Sequence, residues 1–145
     1  MVKKAVFFPH SGDEFKSPEE LREWLATELK NRGGFYRLHN PQSLGSLEKG
    51  SIVFFRKKDY VVGMAIVEED LRGLTEEEKN INSDYEKVIK FFPESIWAFT
   101  NSEFINIDKI TGIISKGFGE GFTAVEKLEE LLDILSLIKS KEAVP

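Results

Sequence analysis

The sequence lacks cysteine altogether and has only two histidines, His10 and His39. Without cysteine there can be no disulfide bond, no thiol nucleophile and no zinc site built on thiolates. A histidine-based metal site or a serine–histidine pair would need distant residues to converge in space. No apolar run approaches the roughly 18–20 residues that cross a bilayer, and the first nine residues are too short for a signal peptide. These absences predict a cytoplasmic protein with no membrane contact, no metal and no cofactor.

Acidic residues outnumber basic ones, which gives a formal net charge of −5 at pH 7. The two halves of the chain differ: residues 1–67 carry 11 Lys/Arg against 8 Asp/Glu, whereas residues 68–145 carry 9 against 17. The net charge argues against general nucleic-acid binding, but the first half can present a basic patch, chiefly from Arg37, Arg56, Lys57 and Lys58. The alternative is that these charges only solvate a turn.

The overall composition is typical of a globular domain. Hydrophobic residues make up 41% and charged residues 31% of the 145 residues, and this length is sufficient for one domain with its own core. We predict a single domain over residues 1–145, in which residues 140–145 form a polar tail or linker.

The stretch 50–67 is the clearest structural signal. Residues 52–55 and 60–67 are mostly β-branched, aromatic or small apolar residues, and the charged residues 56–59 separate them. This pattern predicts two strands of an antiparallel hairpin with a solvated connection. Gly63, inside the second strand, predicts a β-bulge or the close approach of another backbone.

The remaining elements are predicted from helix caps and hydrophobic spacing. Ser17 followed by Pro18 and Glu20 predicts the start of a helix, and Gly33 and Gly34 predict its end. The other predicted elements are strands over 5–9, 34–38, 87–92 and 96–99, a polar loop over 68–86, a short helix within 105–114 and an amphipathic helix over 123–139. Because most strands follow one another without helical crossovers, the predicted fold class is α+β.

The sequence offers little for catalysis. Residues 10–14 place a histidine, a serine and two carboxylates together, but neighbours in sequence rarely converge on one reacting atom. The glycine-rich residues 117–121 lack the lysine and the hydroxyl of a phosphate-binding loop. We therefore predict that the protein is not an enzyme. A small hydrolase built on His10, Asp13 and His39 is a third hypothesis.

Aromatic residues are numerous, with twelve Phe, three Tyr and two Trp. Several are predicted to pack in the core, because they lie on strands or on the apolar face of the first helix: Phe7, Trp24, Phe54, Phe91 and Phe99. The second predicted strand differs, because it ends in a ring, a cation, an imidazole and a carboxamide: Tyr36, Arg37, His39 and Asn40. A nucleobase site needs such flat apolar walls together with hydrogen-bonding groups for the base edge.

Three segments carry a resemblance to the PUA-like superfamily, which includes EVE, ASCH and YTH modules. They are residues 7–13 (Phe-Phe-Pro-His-Ser-Gly-Asp), residues 35–37 (Phe-Tyr-Arg) and the hairpin centred on residues 56–63. Residues 92–99 also resemble the fifth-strand region of EVE-like domains. The chain further resembles, loosely, the N-terminal targeting domains of McrB-type modification-dependent restriction systems. The resemblance implies a small PUA-like β-barrel or curved mixed sheet flanked by helices.

The same resemblance implies a binding site. By position, the roles of YTH modules fall on Ser11 and Asp13 for the base edge, and on Tyr36 for one wall of an aromatic cage around a methylated amine. YTH modules take a second cage tryptophan from the loop after the hairpin, but residues 68–84 contain no aromatic residue. Tyr85 or Trp97 would have to replace it.

The leading hypothesis is a non-catalytic domain that reads a modified base, such as methylated adenine, flipped into an aromatic pocket. Its predicted partner is DNA, with RNA left open, and it would target a larger motor or nuclease assembly of a restriction system. Arg37, Arg56 and Lys57 would hold flanking phosphates, and Asn40 would join the edge contacts. The alternative is a protein-interaction or small-ligand-binding module, whose sign would be an exposed apolar patch on the helix predicted over 123–139.

Overall fold

The structure is a computed structural model that describes residues 5–10, 15–38, 47–77, 87–100, 104–114, 123–125 and 127–142. Eight strands are described: β1 Ala5–Pro9, β2 Phe35–Leu38, β3 Ile52–Lys57, β4 Tyr60–Gly73, β5 Lys87–Phe91, β6 Trp97–Ala98, β7 Ile105–Asn106 and β8 Thr123–Val125. The helices are α1 Pro18–Trp24, which continues into a π-helical turn Leu25–Leu29, α2 Ile107–Thr111 and α3 Leu128–Glu142, with a 3-10 turn at Pro93–Ser95. None of the described helices is long and apolar enough to span a bilayer.

The strands form one mixed sheet in the order β2-β5-β4-β3-β1-β8, and β6 and β7 also pair with β4. Only the β1–β3 pairing is parallel among the strand pairs described, and the others are antiparallel. The predicted α+β class is confirmed, because the described strand pairs are mostly antiparallel and the described helices do not alternate with parallel strands.

The β3–β4 hairpin matches its prediction closely. Its register pairs Ile52 with Ile66 and Phe55 with Gly63, and the register shifts between Phe55 and Arg56. A Cβ atom on Gly63 would lie 2.7 Å from the Trp97 carbonyl oxygen and 2.8 Å from the side chain of Leu25. The bulge and the close approach predicted from Gly63 are therefore both present, and they let α1 and β6 pack onto β4.

We expect Gly63→Ala to lower the free energy of unfolding by about 1–3 kcal/mol, because the new methyl group must displace the Trp97 backbone. Urea denaturation followed by circular dichroism measures this change. Gly73→Ala is the matched control, because a Cβ atom at Gly73 would meet nothing within 4 Å. Equal midpoints for the two variants would contradict the assigned packing at Gly63.

Strand β4 is longer than the sequence indicated. The predicted polar loop over 68–86 is wrong for its first part, because residues up to Gly73 continue the strand and pair with β5. The register shifts twice along this pairing, between Val67 and Glu69 and between Glu69 and Arg72. Such irregularities bend a sheet, so β4 carries the sheet from β3 round to β5. The acidic side chains are tolerated because most of them face solvent.

The C-terminal helix begins later than predicted. Residues Thr123–Val125, which the sequence analysis assigned to that helix, form β8 and pair antiparallel with β1, with Ala5 opposite Val125 and Phe7 opposite Thr123. The second edge of β1 needs hydrogen-bond partners, and β-branched residues such as threonine and valine suit a strand. The tertiary pairing therefore overrides the helical spacing at this end, and α3 starts at Leu128.

Two apolar clusters lie on opposite faces of the sheet. Val6 and Phe8 of β1 join the first cluster, whereas Ala5 and Phe7 join the second, as expected for side chains that alternate along a strand. The residues of α1 and its π turn that cover the first cluster are fully buried: Leu21, Leu25 and Leu29. Helices α2 and α3 cover the second cluster. The first cluster ends at the candidate site.

Helix α1 begins at the cap that the sequence predicted, and the two glycines predicted to end the helical segment lead into β2. The Ser17 hydroxyl accepts a hydrogen bond from the Glu20 amide at 3.2 Å, which caps the helix. Gly33 and Gly34 follow the helix with φ angles of 72° and 85°, which non-glycine residues rarely adopt. This reversal leads directly into β2.

Candidate functional site

Seven rings from five parts of the fold meet at one end of the first apolar cluster. We call this set the aromatic cluster, and its members are Phe8, His10, Phe15, Trp24, Tyr36, Phe55 and Phe91. Phe8, Phe55 and Phe91 are fully buried, whereas the other four residues are half-buried. We call these four residues, His10, Phe15, Trp24 and Tyr36, the cluster flank.

Tyr36 lies at the centre of the aromatic cluster. Its ring centre is 5.6 Å from that of Phe8, 5.8 Å from Trp24, 5.9 Å from Phe55, 6.0 Å from His10 and 6.2 Å from Phe91. These spacings are ordinary aromatic contacts, so the five neighbouring rings cover much of the Tyr36 ring. A base can therefore meet Tyr36 only on its partly exposed side, together with the other rings of the cluster flank.

His10 fixes the hydroxyl of Tyr36. The Nε2 atom of His10 lies 2.6 Å from the Tyr36 Oη, and the Nδ1 atom lies 3.2 Å from the Arg56 carbonyl oxygen. A carbonyl oxygen can only accept a hydrogen bond, so Nδ1 carries the proton and Nε2 accepts from the Tyr36 hydroxyl. Burial lowers the pKa of His10 from 6.5 to about 4. His10 is therefore neutral at pH 7.

The shifted pKa of His10 makes the stability of the fold depend on pH. Its folded-state pKa is depressed, so its contribution is fully present above about pH 6.5 and is lost as the pH falls toward 4. In this window the unfolded chain binds a proton at residue 10 that the folded chain does not bind. We expect the free energy of unfolding to fall by about 2 kcal/mol between pH 7 and pH 5 from this group.

Urea denaturation at both pH values tests this expectation. His10→Gln should remove this part of the pH dependence, and His39→Gln serves as the control because His39 is the only other histidine. An unchanged slope in the His10→Gln variant would contradict the assigned neutral state of His10.

Trp24 and Phe15 extend the cluster flank away from Tyr36. Their ring centres lie 5.6 Å apart in an edge-to-face arrangement, and Cζ of Arg32 lies 5.4 Å from the centre of the Trp24 ring. The sequence analysis placed Trp24 in the core and did not single out Phe15. The signal in the sequence was the spacing of Trp24, which lies beside the stripe of buried leucines on α1 rather than within it.

The predicted basic residues occupy different environments. Arg37 alternates with Tyr36 along β2, so its side chain leaves from the other face of the sheet. Arg56 is partly buried, and Lys57 is only 4% exposed. Lys58 is exposed in the hairpin turn, with a φ of 55°. The burial of Lys57 argues against the phosphate contact predicted for it, and the Nε and Nη1 atoms of Arg56 are also buried, whereas Lys58 remains an accessible candidate.

The other predicted site residues are either undescribed or elsewhere. Ser11, Asp13, His39, Asn40, Tyr85 and residues 117–121 lie outside the described residues. Trp97 lies on β6 and packs against the second apolar cluster, where its ring contacts Phe99 edge-to-face at 5.1 Å. The described contacts thus place Trp97 apart from the rings around Tyr36. Within the described ranges, no three His, Asp or Glu side chains converge in a way that could hold a metal ion.

Comparisons with known proteins give similarity at the level of structure. No protein-family model and no curated protein sequence matches the chain. The fold is similar to that of ASCH from Zymomonas mobilis, with a TM-score of 0.50 and 15% identity over 92% of this chain and 95% of that chain. It is also similar to the YTH domain of the Zygosaccharomyces rouxii MRB1 protein in complex with N6-methyladenosine RNA, with a TM-score of 0.55 and 15% identity over 96% of this chain and 90% of that chain. The α+β, PUA-like fold predicted from the sequence is confirmed.

Proposed function

We propose that this PUA-like domain binds a nucleic acid and reads a modified base that stacks on the cluster flank. The observation that carries the proposal is the set of four half-buried aromatic residues, held by three fully buried rings, beside cationic side chains. Protein sites for unstacked bases combine aromatic faces with positive charge.

The buried rings give the site its rigidity. Tyr36 is held by five ring contacts and by its hydrogen bond to His10, so little side-chain freedom remains to be lost on binding. Each base stacked on such a ring gains about 1–3 kcal/mol. A methyl group on the base adds apolar area that the rings can cover. These terms favour a methylated base over an unmodified one.

Positive charge lies close to the cluster flank. Arg32 reaches over the Trp24 ring, and the carbonyl group of Arg56 is bonded to His10, which places the β3–β4 turn with Lys58 near the same end of the sheet. Such cations attract the phosphates on either side of a flipped nucleotide. The edge contacts predicted for Ser11, Asp13 and Asn40, and the binding role predicted for His39, remain part of this proposal.

The proposed role is binding without catalysis. Both ring nitrogens of His10 are engaged, one with the Tyr36 hydroxyl and one with the Arg56 carbonyl, so His10 is not placed to act as a general base. The similar YTH domain is in complex with N6-methyladenosine RNA, which supports methylated adenine as the first base to test. The finer proposal is a DNA-targeting domain of a modification-dependent restriction system that recruits a motor or nuclease.

Fluorescence anisotropy with matched oligonucleotides tests the proposal. Single strands and duplexes of DNA and RNA, each with and without one N6-methyladenine, would be titrated into the protein at constant salt. We expect tighter binding of the methylated member in at least one polymer. Equal affinities for all methylated and unmethylated pairs would reject the proposed function, and a preference confined to RNA would reject the restriction role.

A second candidate function rests on α3. Leu128 is 66% exposed and Leu132 is 54% exposed, and their spacing of four residues places them on one face of the helix. The exposed acidic residues Glu129 and Asp133 lie beside them, which suits a partner with a basic amphipathic helix. Calorimetric titration with such a peptide, against a Leu128→Ser/Leu132→Ser variant, tests whether this face is a docking surface.

A further inference from the structure

The two faces of strand β5 have different surroundings. Ile89 and Phe91 belong to the first apolar cluster, and Leu71 of β4 packs against it from the same side. Val88 and Lys90 alternate with them along β5 and therefore point to the opposite side of the sheet. Helices α2 and α3 cover that side over the second apolar cluster, but none of the described residues of this cluster comes from β2 or β5.

The register of β2, β5 and β4 determines which side chains share this surface, because residues directly opposite each other on neighbouring strands point to the same face. We call the surface the outer β5 face, and it consists of two rows across the strands: Arg37, Val88 and Arg72 in one, and Phe35, Lys90 and Glu69 in the other. Neighbouring strands lie about 4.8 Å apart, so the Cα atoms of Arg37 and Arg72 are about 10 Å apart with Val88 between them.

We infer that the outer β5 face binds a phosphate group of the nucleic-acid backbone between Arg37 and Arg72, an inference that rests on the proposed function. Two long side chains that leave the same face on either side of Val88 can bring both guanidinium groups to one phosphate. The planar guanidinium fork matches the oxygens of a phosphate, and charged hydrogen bonds of this kind are among the strongest in proteins.

Arg37 has a donor that the protein leaves unsatisfied. Its Nε is buried and has no hydrogen-bond partner, and none of the ion pairs in the described part of the chain involves Arg37. Buried donors are almost always paired, and an oxygen of a bound phosphate would supply the acceptor. The residue is only half-buried, so a ligand can reach its guanidinium group.

The other cations of the face are held in place. The Nη1 atom of Arg72 donates a hydrogen bond to the Gly73 carbonyl oxygen at 3.0 Å. The Lys90 ammonium group pairs with the Glu68 carboxylate and lies 5.7 Å from the centre of the Phe35 ring. The charge of Lys90 is therefore compensated within the protein, and the positive charge that is left for a ligand lies in the row of the two arginines.

Exposed carboxylates limit how strongly this face attracts phosphate. Glu69 lies in the row beside the arginines, and Glu76 and Glu77 follow the end of β4. The two rows together with Glu68 hold three cations and two carboxylates, so their net charge is positive. Because a carboxylate repels phosphate, Glu69→Gln is expected to tighten binding of an oligonucleotide by about 2-fold.

Strand β2 connects the outer β5 face to the cluster flank. Tyr36 packs against the first apolar cluster on one face of β2, and Phe35 and Arg37 point to the other face. β2 stands at one end of the described strand order. A nucleic-acid strand whose modified base stacks on the cluster flank can therefore pass this edge and place a neighbouring phosphate over Arg37.

Anisotropy titrations of a methylated single strand over a range of salt concentrations test the inference. Arg37→Gln is expected to reduce the salt slope by about 0.7 and, at about 0.1 M salt, to weaken binding by about 5-fold. Arg72→Gln should change both quantities in the same direction. Neither variant should change the ratio of affinities for the methylated and unmethylated strands, because a phosphate contact carries no sequence information.

Three controls separate the phosphate contact from an effect on the fold or on the base site. Arg37→Lys keeps the positive charge and should retain the wild-type salt slope. Lys109→Gln removes an exposed lysine from α2 and should change neither the slope nor the affinity. The nucleoside N6-methyladenosine has no phosphate, so calorimetric titration should give the same affinity for Arg37→Gln as for the wild type.

The outcomes distinguish this inference from the proposed function. If the wild-type protein prefers the methylated strand but Arg37→Gln and Arg72→Gln keep its salt slope, the outer β5 face is rejected and the reader function stands. If no strand shows a methyl preference but Arg37→Gln still reduces the salt slope, the reader function is rejected and the phosphate site stands. Weaker nucleoside binding by Arg37→Gln would show that the substitution acts through Tyr36, and it would also reject the outer β5 face.

Discussion

Trp24→Leu is expected to lower the affinity for a methylated oligonucleotide by roughly 5- to 150-fold, the equivalent of one lost stacking contact of about 1–3 kcal/mol. Trp24 is the better position to change than Tyr36, because it is partly exposed and has two described ring contacts, whereas Tyr36 is held by five rings. Leucine keeps most of the apolar packing against Phe15 but removes the flat face on which a base can stack.

The measurement is anisotropy with the methylated and unmethylated strands, beside urea denaturation of each variant. Tyr60→Leu is the control, because Tyr60 is an exposed ring outside the aromatic cluster that contacts Phe104. Tyr36→Phe should bind nearly as well as the wild type, since its ring remains. If the Trp24→Leu variant folds and keeps the wild-type affinity and methyl preference, the cluster flank is not the binding site.

Gly34→Ala is expected to lower the free energy of unfolding by at least about 3–4 kcal/mol, the largest stability change that we predict. A Cβ atom there would lie 2.2 Å from the Phe91 carbonyl oxygen, and the φ angle is +85°. The Gly34 carbonyl oxygen also accepts a hydrogen bond from the Phe91 amide at 2.8 Å. The substitution therefore forces β2 and β5 apart where Tyr36 and Phe91 meet.

Gly33→Ala separates the two causes of this cost. Gly33 has a similar φ of +72°, but a Cβ atom would meet nothing nearer than the Phe35 ring at 3.9 Å. We expect a loss of only about 1–2 kcal/mol, the cost of a left-handed backbone for alanine. Urea denaturation of both variants gives the comparison. Similar losses for the two would show that steric contact with β5 adds nothing at Gly34.

Several parts of the fold could be predicted because they depend on short stretches of sequence. The cap at Ser17, the reversal at Gly33 and Gly34 and the alternating apolar residues of the β3–β4 hairpin each follow from local backbone and side-chain preferences. Gly63 even indicated a packing contact, since a glycine within a strand marks close approach or a bulge. The α+β class followed from the order of these elements.

The candidate site was predicted less well, because its rings come from distant segments. Tyr36 was identified from its strand-end position, but its neighbours Phe8, Phe55 and Phe91 lie far from it in sequence and meet it only through the β2–β5 and β1–β3 pairings. The β4–β6 pairing places Trp97 with the second cluster, and Lys57 at the end of β3 is buried. Alternation along a strand shows which side chains share a face of the sheet, but it does not show which face other elements of the fold will cover.

The sequence by itself therefore determined where α1 begins, where its helical segment ends, where the hairpin turns, the absence of cysteine thiols, and the basic first half of the chain. The tertiary structure decided that β8 is a strand, that β4 bends round to β5, and that six other rings gather with Tyr36 in one cluster. The reason is physical: caps and turns are settled within a few residues, whereas strand edges and ring contacts are settled by whichever distant segment satisfies their hydrogen bonds and covers their apolar surface.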